Sequence, residues 1–272
     1  METISIIIPT WNSAQTLQKT IMSCLRQTVP VLEVLVCDDG STDNSHEVVK
    51  AIGDNRVIWI ASLHSGTPAV PRNNGMSQAR GEWFAFCDSD DEWLPTKLEA
   101  QLSLLEKIDC KASCTQAVIK LGGIITQNHV SKWKKDRFTF SNILRSNDIV
   151  GSSVLIHSSL YKEIGGFCTE PNYASFVDYM YWLRILTKTN FAFVKEPLVI
   201  YDDHPQTSLR SKSLSDSDLQ NIVIDDFQKW IGGVQHNKAT IFNNKIKHHK
   251  TRLRFKKDIK NIIYSFINIW KK

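Results

Sequence analysis

The chain has 272 residues, of which 42% are hydrophobic and 22% are charged, and it carries a net charge of +5. This length and apolar content allow one large α/β domain with a sizeable core, and they exclude a disordered chain. The charge is concentrated in residues 245–272, which contain ten Lys or Arg and one acidic residue, so the remainder is slightly acidic.

The N-terminal segment and the cysteines favour a cytosolic protein. Glu2 precedes the apolar run Ile4–Ile8, which is too short and lacks the basic start of a signal peptide. No stretch approaches the roughly 20 uncharged apolar residues that a membrane-spanning helix needs. The six cysteines form no CxxC pair, so we interpret them as reduced thiols.

The first 90 residues alternate strand and helix patterns with short connections. The apolar runs that predict strands are Ile4–Ile8, Val31–Cys37, Val57–Ala61 and Trp83–Cys87. The helices predicted between them are Leu17–Leu25, Ser45–Ile52 and Pro68–Ala79, the last closed by Gly81 as its C′ residue. Strands separated by helices predict βαβ units and a mainly parallel sheet, buried on both faces.

The pattern changes after a helix predicted over Thr96–Lys107. Ala112–Ile119 and Ile124–Thr126, on either side of two glycines, predict a hairpin, so the second half should add antiparallel strands. The other predicted elements are a strand over Val154–His157, helices over Ser158–Ile164 and Asp178–Leu186, and a strand over Leu198–Tyr201. Beyond about Ser213 the pattern is helical.

Polar residues follow three of the predicted strands at the points where the strands end. They are Thr10 with Asn12, Asp38 with Asp39, and the cluster Asp88–Asp91. Ligands bind beyond the carboxyl ends of the strands in open parallel sheets, so these residues predict one shared site. The first strand-to-helix turn lacks GxGxxG, which argues against a dinucleotide cofactor.

The stretch "FAFCDSDDEW" places three carboxylates directly after a buried strand. Residues i and i+2 of an extended chain point the same way, so Asp88 and Asp90 should face one object and Asp91 another direction. Neighbouring carboxylates repel each other unless a cation or proton lies between them, and oxygen ligands suit Mg²⁺ or Mn²⁺. The alternative is that these acids cap the following helix, an interpretation we retain for Asp91.

Five segments, in their order and spacing, resemble the family 2 glycosyltransferases with the GT-A fold. They are "SIIIPTWNSAQTL" (Ser5–Leu17), "VLVCDDGSTDNS" (Val34–Ser45), "PRNNGMSQARGEWFAFCDSDD" (Pro71–Asp91), "GSSVLIHSSLYKEIGGF" (Gly151–Phe167) and "DYMYWLRI" (Asp178–Ile185). The resemblance covers about residues 3 to 205. It implies a mixed, mainly parallel sheet flanked by helices, a nucleotide-sugar donor that is most often UDP-linked, and transfer with inversion at the anomeric carbon.

The resemblance also assigns residues to the donor site. Those that match the nucleotide-sugar pocket are Thr10, Asn12, Asp39, Arg72 and Asp88. Asp39 corresponds to the acid that hydrogen-bonds the uracil, and Asp88 to the acid near the ribose or metal. Asp90 corresponds to the acid that holds Mn²⁺ or Mg²⁺ on the diphosphate, so the implied metal ligands are Asp90 and Asp88.

Asp178 takes the position of the family's catalytic base. A positioned carboxylate that removes a proton from an acceptor hydroxyl typically accelerates transfer by about 10²–10⁴-fold. Many members carry Glu immediately before this Asp, where this chain has Val177, so the assignment depends on Asp178 alone. Glu170 is a weaker alternative base, and an N-cap role for Asp178 is compatible with catalysis. His204 resembles a position near the diphosphate, although a surface histidine is the simpler interpretation.

The basic C-terminal tail has helical periodicity. Its apolar residues recur at helical spacing: Phe255, Ile259, Ile262, Phe266 and Trp270. A basic amphipathic helix of this kind predicts binding to an anionic membrane surface. The alternatives are a helix docked on the catalytic domain and a nucleic-acid-binding tail, and the second is disfavoured because no reader motif accompanies the charge.

We therefore predict a GT-A catalytic domain over residues 1–212, with a nucleotide-binding half at 1–110 and an acceptor-binding half at 111–212. A helical extension over 213–272 would include the membrane-associating tail 245–272. The expected protein is a cytoplasmic, membrane-peripheral enzyme that transfers a hexose from a UDP-sugar to an undecaprenyl-diphosphate-linked sugar in O-antigen or capsule synthesis.

Three alternatives to this function remain open from the sequence. The first is a nucleotidyltransferase with a similar α/β fold, which would attack at phosphorus and need no base at Asp178. The second is a glycosyltransferase that acts on another lipid or a protein glycan. The third is a membrane-bound scaffold that keeps the fold without the chemistry, and the intact DSDD motif argues against it.

Overall fold

The computed structural model describes residues 2–128, 133–202, 216–234 and 239–251. Within them, ten strands form one sheet in the order β3-β2-β1-β4-β9-β6-β10-β5, with β7 beside β6 and β8 beside β10. The strands are β1 (Ile4–Thr10), β2 (Glu33–Asp38), β3 (Val57–Ala61), β4 (Trp83–Phe86), β5 (Glu92–Trp93), β6 (Ala112–Leu121), β7 (Ile124–Asn128), β8 (Arg137–Phe138), β9 (Leu155–His157) and β10 (Phe191–Asp202).

Helices cover both faces of this sheet. They are α1 (Leu17–Leu25), α2 (Ser45–Ile52), α3 (Ala69–Gln78), α4 (Lys97–Leu105), α5 (Phe140–Ile143), α6 (Ser158–Ile164), α7 (Val177–Ile185), α8 (Asp216–Val234) and α9 (239–251). Short 3₁₀ turns lie at Gly151–Ser153 and Pro171–Tyr173. The predicted α/β class, with a mainly parallel sheet flanked by helices, is confirmed.

Strands β1 to β4 form the parallel half that the sequence predicts. β1 pairs in parallel with β2 and β4, and β2 pairs in parallel with β3. Every residue of β1 is buried, because its side chains alternate between two cores on opposite faces of the sheet. Ile7 belongs to one core, and Ile6 and Ile8 belong to the other. The carboxyl ends of these strands therefore meet at one edge.

The second half adds antiparallel pairs, as predicted. β9 lies antiparallel between β4 and β6, and β6 forms the expected hairpin with β7. β10 is longer than the predicted strand and runs parallel to β6, with register shifts on both sides of Pro197. Proline has no N–H to donate, which is consistent with the interrupted ladder at Pro197, and the predicted strand Leu198–Tyr201 covers only the part of β10 after it. β5 and β8 escaped prediction because each has two residues.

Gly81 has a different role from the predicted one. α3 ends at Gln78, and its C-cap is Ala79 in an extended conformation, so Gly81 is not the C′ residue of this helix. The N–H of Gly81 instead donates to Ser5 Oγ over 2.8 Å. A Cβ at this position would lie 2.6 Å from the backbone nitrogen of Ser5. Glycine is needed here because the chain passes so close to β1.

The described C-terminal helices pack against the hydrophobic core on one face of the sheet. Phe227 of α8 and Phe242 of α9 lie 5.1 and 4.8 Å, between ring centroids, from Phe140 of α5. The boundary predicted near residue 212 and the apolar residues of the predicted membrane helix, Phe255 to Trp270, lie outside the described residues. Among the described helices, none combines the length and apolar character required to cross a bilayer.

Candidate active site

A cavity of about 490 Å³ opens at the carboxyl edge of the parallel strands. Its walls come from the ends of β1, β2, β4 and β10, the first turn of α3, and residues 174–178. Six of the predicted site residues line it: Thr10, Asp39, Arg72, Asp88, Asp90 and Asp178. The cavity therefore lies where the sequence predicts it, beyond the carboxyl ends of the parallel strands. The fold brings the predicted donor, metal and base residues together there.

Asn12 is the predicted site residue that does not line this cavity. It has a left-handed backbone with a φ of 50°, which asparagine tolerates better than most residues. Its Oδ1 accepts hydrogen bonds from the backbone N–H groups of Thr42, over 2.8 Å, and Asp43, over 3.3 Å. Asn12 thus fastens the turn after β1 to the turn after β2, and it supports the wall of the cavity from outside.

Asp39 is buried and holds the loop that forms one end of the cavity. Its Oδ1 accepts from the backbone N–H and the hydroxyl of Ser65, over 2.9 and 2.6 Å, and its Oδ2 accepts from Gly66 N over 3.2 Å. His64 Nδ1 lies 3.0 Å from Oδ2. The His64 ring stacks on Trp11 with the centroids 4.8 Å apart. Asp39 therefore fixes residues 64–66 in addition to facing the cavity.

Residues Asp88–Asp91 form a turn and do not continue the strand. The N–H of Asp91 donates to the carbonyl oxygen of Asp88 over 3.1 Å. Asp88 and Asp90 both line the cavity, whereas Asp91 is fully buried in the protein. The expected division of the three acids is therefore correct, but the cause is a turn and not the alternation of an extended chain.

The predicted helix-capping role of Asp91 is wrong, because α4 begins only at Lys97. The buried Asp91 carboxylate accepts from the Ser152 hydroxyl and from the backbone N–H of Asp202, the latter over 2.9 Å. Burial, followed by the neighbouring carboxylates of Asp90 and Asp88, raises the pKa of Asp91 well above its usual range. Ser152 Oγ also accepts from Asp88 N over 2.9 Å, so Asp91 connects three walls of the cavity.

Helix α1 holds the same turn from the opposite side. Thr16 and Thr20 donate their hydroxyls to the carbonyl oxygen of Ser89 over 2.7 and 3.0 Å. Thr20 also lies 2.8 Å from the carbonyl oxygen of Asp91. The turn is therefore hydrogen-bonded on both sides.

Asp88 also has a cationic partner. Arg72, in the first turn of α3, places Nη2 2.6 Å from Asp88 Oδ1, and its side chain is almost entirely buried. The Arg72 guanidinium carbon lies 5.4 Å from the centroid of the Phe167 ring, which packs against it. This ion pair fixes the direction of the Asp88 carboxylate. The second carboxylate oxygen, Asp88 Oδ2, takes no part in the pair.

Asp178 presents its carboxylate from the first turn of α7, which begins at Val177. Its Oδ1 accepts from Tyr179 N over 2.7 Å, and its Oδ2 accepts from Asn147 Nδ2 over 3.3 Å. The N-cap is Phe176, so Asp178 is not the cap of its own helix. A negative charge suits the first turn because the helix dipole is positive there. Glu170, the alternative base, does not line the cavity, and His204 lies outside the described residues.

The model of the family described as "Glycosyl transferase family 2" matches residues 5–165. The chain belongs to this family. In Escherichia coli, WfaP is 32% identical over 188 residues, covering 69% of this chain and 72% of WfaP, and WfgD is 30% identical over 243 residues, covering 82% and 86%. Both are described as UDP-Glc:alpha-D-GlcNAc-diphosphoundecaprenol beta-1,3-glucosyltransferases.

Solved structures of TarS residues 1–349 from S. aureus have the same fold. The complex with UDP has a TM-score of 0.63 at 20% identity, covering 88% of this chain and 75% of that one. The complex with UDP-GlcNAc has a TM-score of 0.66 at 20% identity, covering 86% and 67%. These matches confirm the GT-A fold that the resemblance implied.

The sequence missed several residues that line the cavity of this glycosyltransferase. They are His64, Gly151, Tyr201 and Asp202, with others from the loops before α3 and α7. Asp202 could have been found, because it follows the predicted strand Leu198–Tyr201 and the strand-end rule applies to it too. In the structure Asp202 pairs with Lys120 Nζ at 2.7 Å. No sequence pattern indicated His64, because its place in the site depends on contacts with Asp39 and Trp11 that form only in the fold.

Asp39→Asn should loosen the loop of residues 64–66. Asparagine offers one acceptor oxygen where three donors from Ser65 and Gly66 converge, so at least one of these hydrogen bonds is lost. We expect hydrogen exchange at the amides of Ser65 and Gly66 to accelerate about tenfold or more. The control is Asp109→Asn, because Asp109 is exposed and distant from this loop in the sequence. Unchanged exchange at both amides would contradict the role of Asp39.

Proposed function

We propose that this glycosyltransferase transfers a hexose from a UDP-sugar to a GlcNAc- or GalNAc-diphosphate-undecaprenol acceptor, with inversion and with a divalent metal. The observation that carries the proposal is the convergence of Asp88, Asp90 and Asp178 on one cavity. The first two suit a diphosphate with its cation, and the third suits an acceptor hydroxyl. Glucose or galactose is the favoured donor sugar, and O-antigen or capsule synthesis is the favoured process.

The relatives support this choice of donor and acceptor. WfaP and WfgD are described as acting on UDP-Glc and a GlcNAc-diphosphoundecaprenol. TarS has been solved with UDP and with UDP-GlcNAc. The cavity volume of about 490 Å³ lies within the usual range for small-molecule sites. Transfer to another lipid or to a protein glycan would use the same donor chemistry and is the alternative for the acceptor.

The carboxylates at the cavity fit a Mg²⁺ or Mn²⁺ ion. No cluster of three or more His, Cys, Asp or Glu arranged for a metal is found in the described ranges. Mg²⁺ needs no such cluster, since one or two carboxylates with substrate phosphates and water usually complete its shell. Asp90 and the oxygen of Asp88 that Arg72 leaves open would hold the ion. When bound, the metal would stabilise the negative charge that develops on the departing diphosphate.

Asp178 would act as the general base. The acceptor hydroxyl attacks the anomeric carbon as Asp178 takes its proton, and the bond from that carbon to the diphosphate oxygen breaks. Because the attack comes from the face opposite the nucleotide, the configuration inverts and no protein nucleophile is required. The position of Asp178 on the same cavity as Asp88 and Asp90 suits this arrangement.

We further propose that the enzyme is peripheral on the cytoplasmic face of the membrane. The acceptor would be lipid-linked, as it is in the descriptions of WfaP and WfgD. Residues 245–272 carry ten basic residues and one acidic residue, and each Lys or Arg near an anionic leaflet contributes about 1 kcal/mol. This charge would keep the enzyme close to its acceptor.

Asp178→Asn should remove the base and preserve the donor site. We expect kcat for sugar transfer to fall by about 10²–10⁴-fold, while the Kd for UDP changes little. Glu170→Gln is the matched control, since Glu170 was the alternative base and does not line the cavity. Full turnover by Asp178→Asn would favour nucleotidyl transfer or place the base elsewhere.

Asp90→Ala should abolish transfer without unfolding the protein, because Asp90 is exposed at the cavity. We expect loss of metal-dependent UDP binding in calorimetry and an unchanged unfolding midpoint. Asp109→Ala, which removes an exposed carboxylate elsewhere, should behave as the wild type. Wild-type activity that persisted in excess EDTA would contradict the proposed metal.

A further inference from the structure

Asn147 lies in the loop between α5 and the turn Gly151–Ser153, beside the proposed base. Its Nδ2 donates to Asp178 Oδ2 over 3.3 Å. We infer that Asn147 is a positioning residue, which holds the Asp178 carboxylate in the orientation needed to accept a proton from the acceptor. The inference rests on the proposed function, because it assigns a support to the base of that reaction.

The amide of Asn147 has one clear task. Its Oδ1 is buried without a hydrogen-bond partner among the described residues. An unpaired buried acceptor costs about 1–3 kcal/mol, and an apolar side chain at this position would avoid the cost. The amide group cannot be flipped by 180°, because Oδ1 would then face the Asp178 carboxylate and two acceptors would oppose each other. The contact with Asp178 is therefore the interaction that the amide supplies.

The loop that carries Asn147 is fixed by α7 and α8. Gln220 of α8 donates from Nε2 to the carbonyl oxygens of Leu144, over 2.7 Å, and Arg145, over 3.3 Å. The Tyr179 hydroxyl donates to the same Leu144 oxygen over 3.3 Å. These bonds set the path of the loop three residues before Asn147. Gln220 thus connects helix α8 to the loop that carries Asn147.

A neutral donor suits a general base better than a charged neighbour does. A cation beside Asp178 would make its carboxylate a weaker base, and another carboxylate would favour its protonated form. An amide donor orients the carboxylate and adds no net charge beside it. Orientation matters because a base must lie about 2.6–3.2 Å from the proton donor, and small misplacements reduce the rate strongly.

The test replaces Asn147 by two residues that separate orientation from charge. Asn147→Ala removes the donor, and we expect kcat to fall about tenfold with the KM for the UDP-sugar nearly unchanged. Asn147→Asp adds a carboxylate beside Asp178, and we expect the acidic limb of the kcat/KM profile to move up by about one pH unit. The ionisable acidic and basic groups that share the cavity or the loop are Asp39, His64, Arg72, Asp88, Asp90, Arg145, Asp148 and Asp202.

Two further variants test whether these effects come from Asn147: one concerns the acidic limb of the kcat/KM profile, and the other concerns kcat. Ser146→Asp adds the same charge on the exposed neighbouring residue and should leave the limb in place. Gln220→Ala should lower kcat in the same direction as Asn147→Ala, because it frees the loop. An unshifted profile in folded Asn147→Asp, or an unchanged kcat in Asn147→Ala, with Asp178→Asn inactive, would overturn this inference alone. Full turnover by Asp178→Asn would overturn the proposed base and this inference together.

Discussion

The candidate active site of this glycosyltransferase depends on one buried acid, Asp91, which does not line the cavity. Asp91 accepts hydrogen bonds from the Ser152 hydroxyl and the backbone of Asp202, and Ser152 in turn accepts from the backbone of Asp88. Three segments that are far apart in the sequence are thereby tied at the base of the cavity. Removing one partner of such a buried network leaves another buried polar group unpaired, so these bonds stabilise the turn.

This arrangement gives different roles to three acids, Asp88, Asp90 and Asp91, that look equivalent in the sequence. Asp88 and Asp90 face the cavity, where a cation and a diphosphate would offset their charge, while Asp91 holds the turn from below. Arg72 then fixes the direction of Asp88. Asp178, the proposed base, accepts a hydrogen bond from Asn147, which lies outside the segments that resemble the family. Each of these two carboxylates is thus oriented by a partner from another segment of the chain.

The sequence predicts the strand ends well, because buried parallel strands appear as apolar runs and the polar residues after them must reach one edge. Six of the seven predicted site residues meet there for that reason. Residues whose role depends on long-range contacts were not predictable. Asn12 serves a turn thirty residues away, the partners of Asp91 are Ser152 and Asp202, and Asn147 meets Asp178 only after folding. No local pattern encodes such contacts.

The central claim is that the cavity transfers a sugar from a UDP-linked donor to a lipid-linked sugar. It is tested most directly by incubating the full chain and Mn²⁺ with each of several UDP-sugars and synthetic GlcNAc- or GalNAc-diphosphate lipids, with the product linkage determined by NMR. We predict release of UDP and a β-linked hexose on the acceptor, because inversion of an α-linked UDP-hexose gives a β linkage. An α-linked product, release of UMP or pyrophosphate, or no transfer from any UDP-sugar would contradict the account.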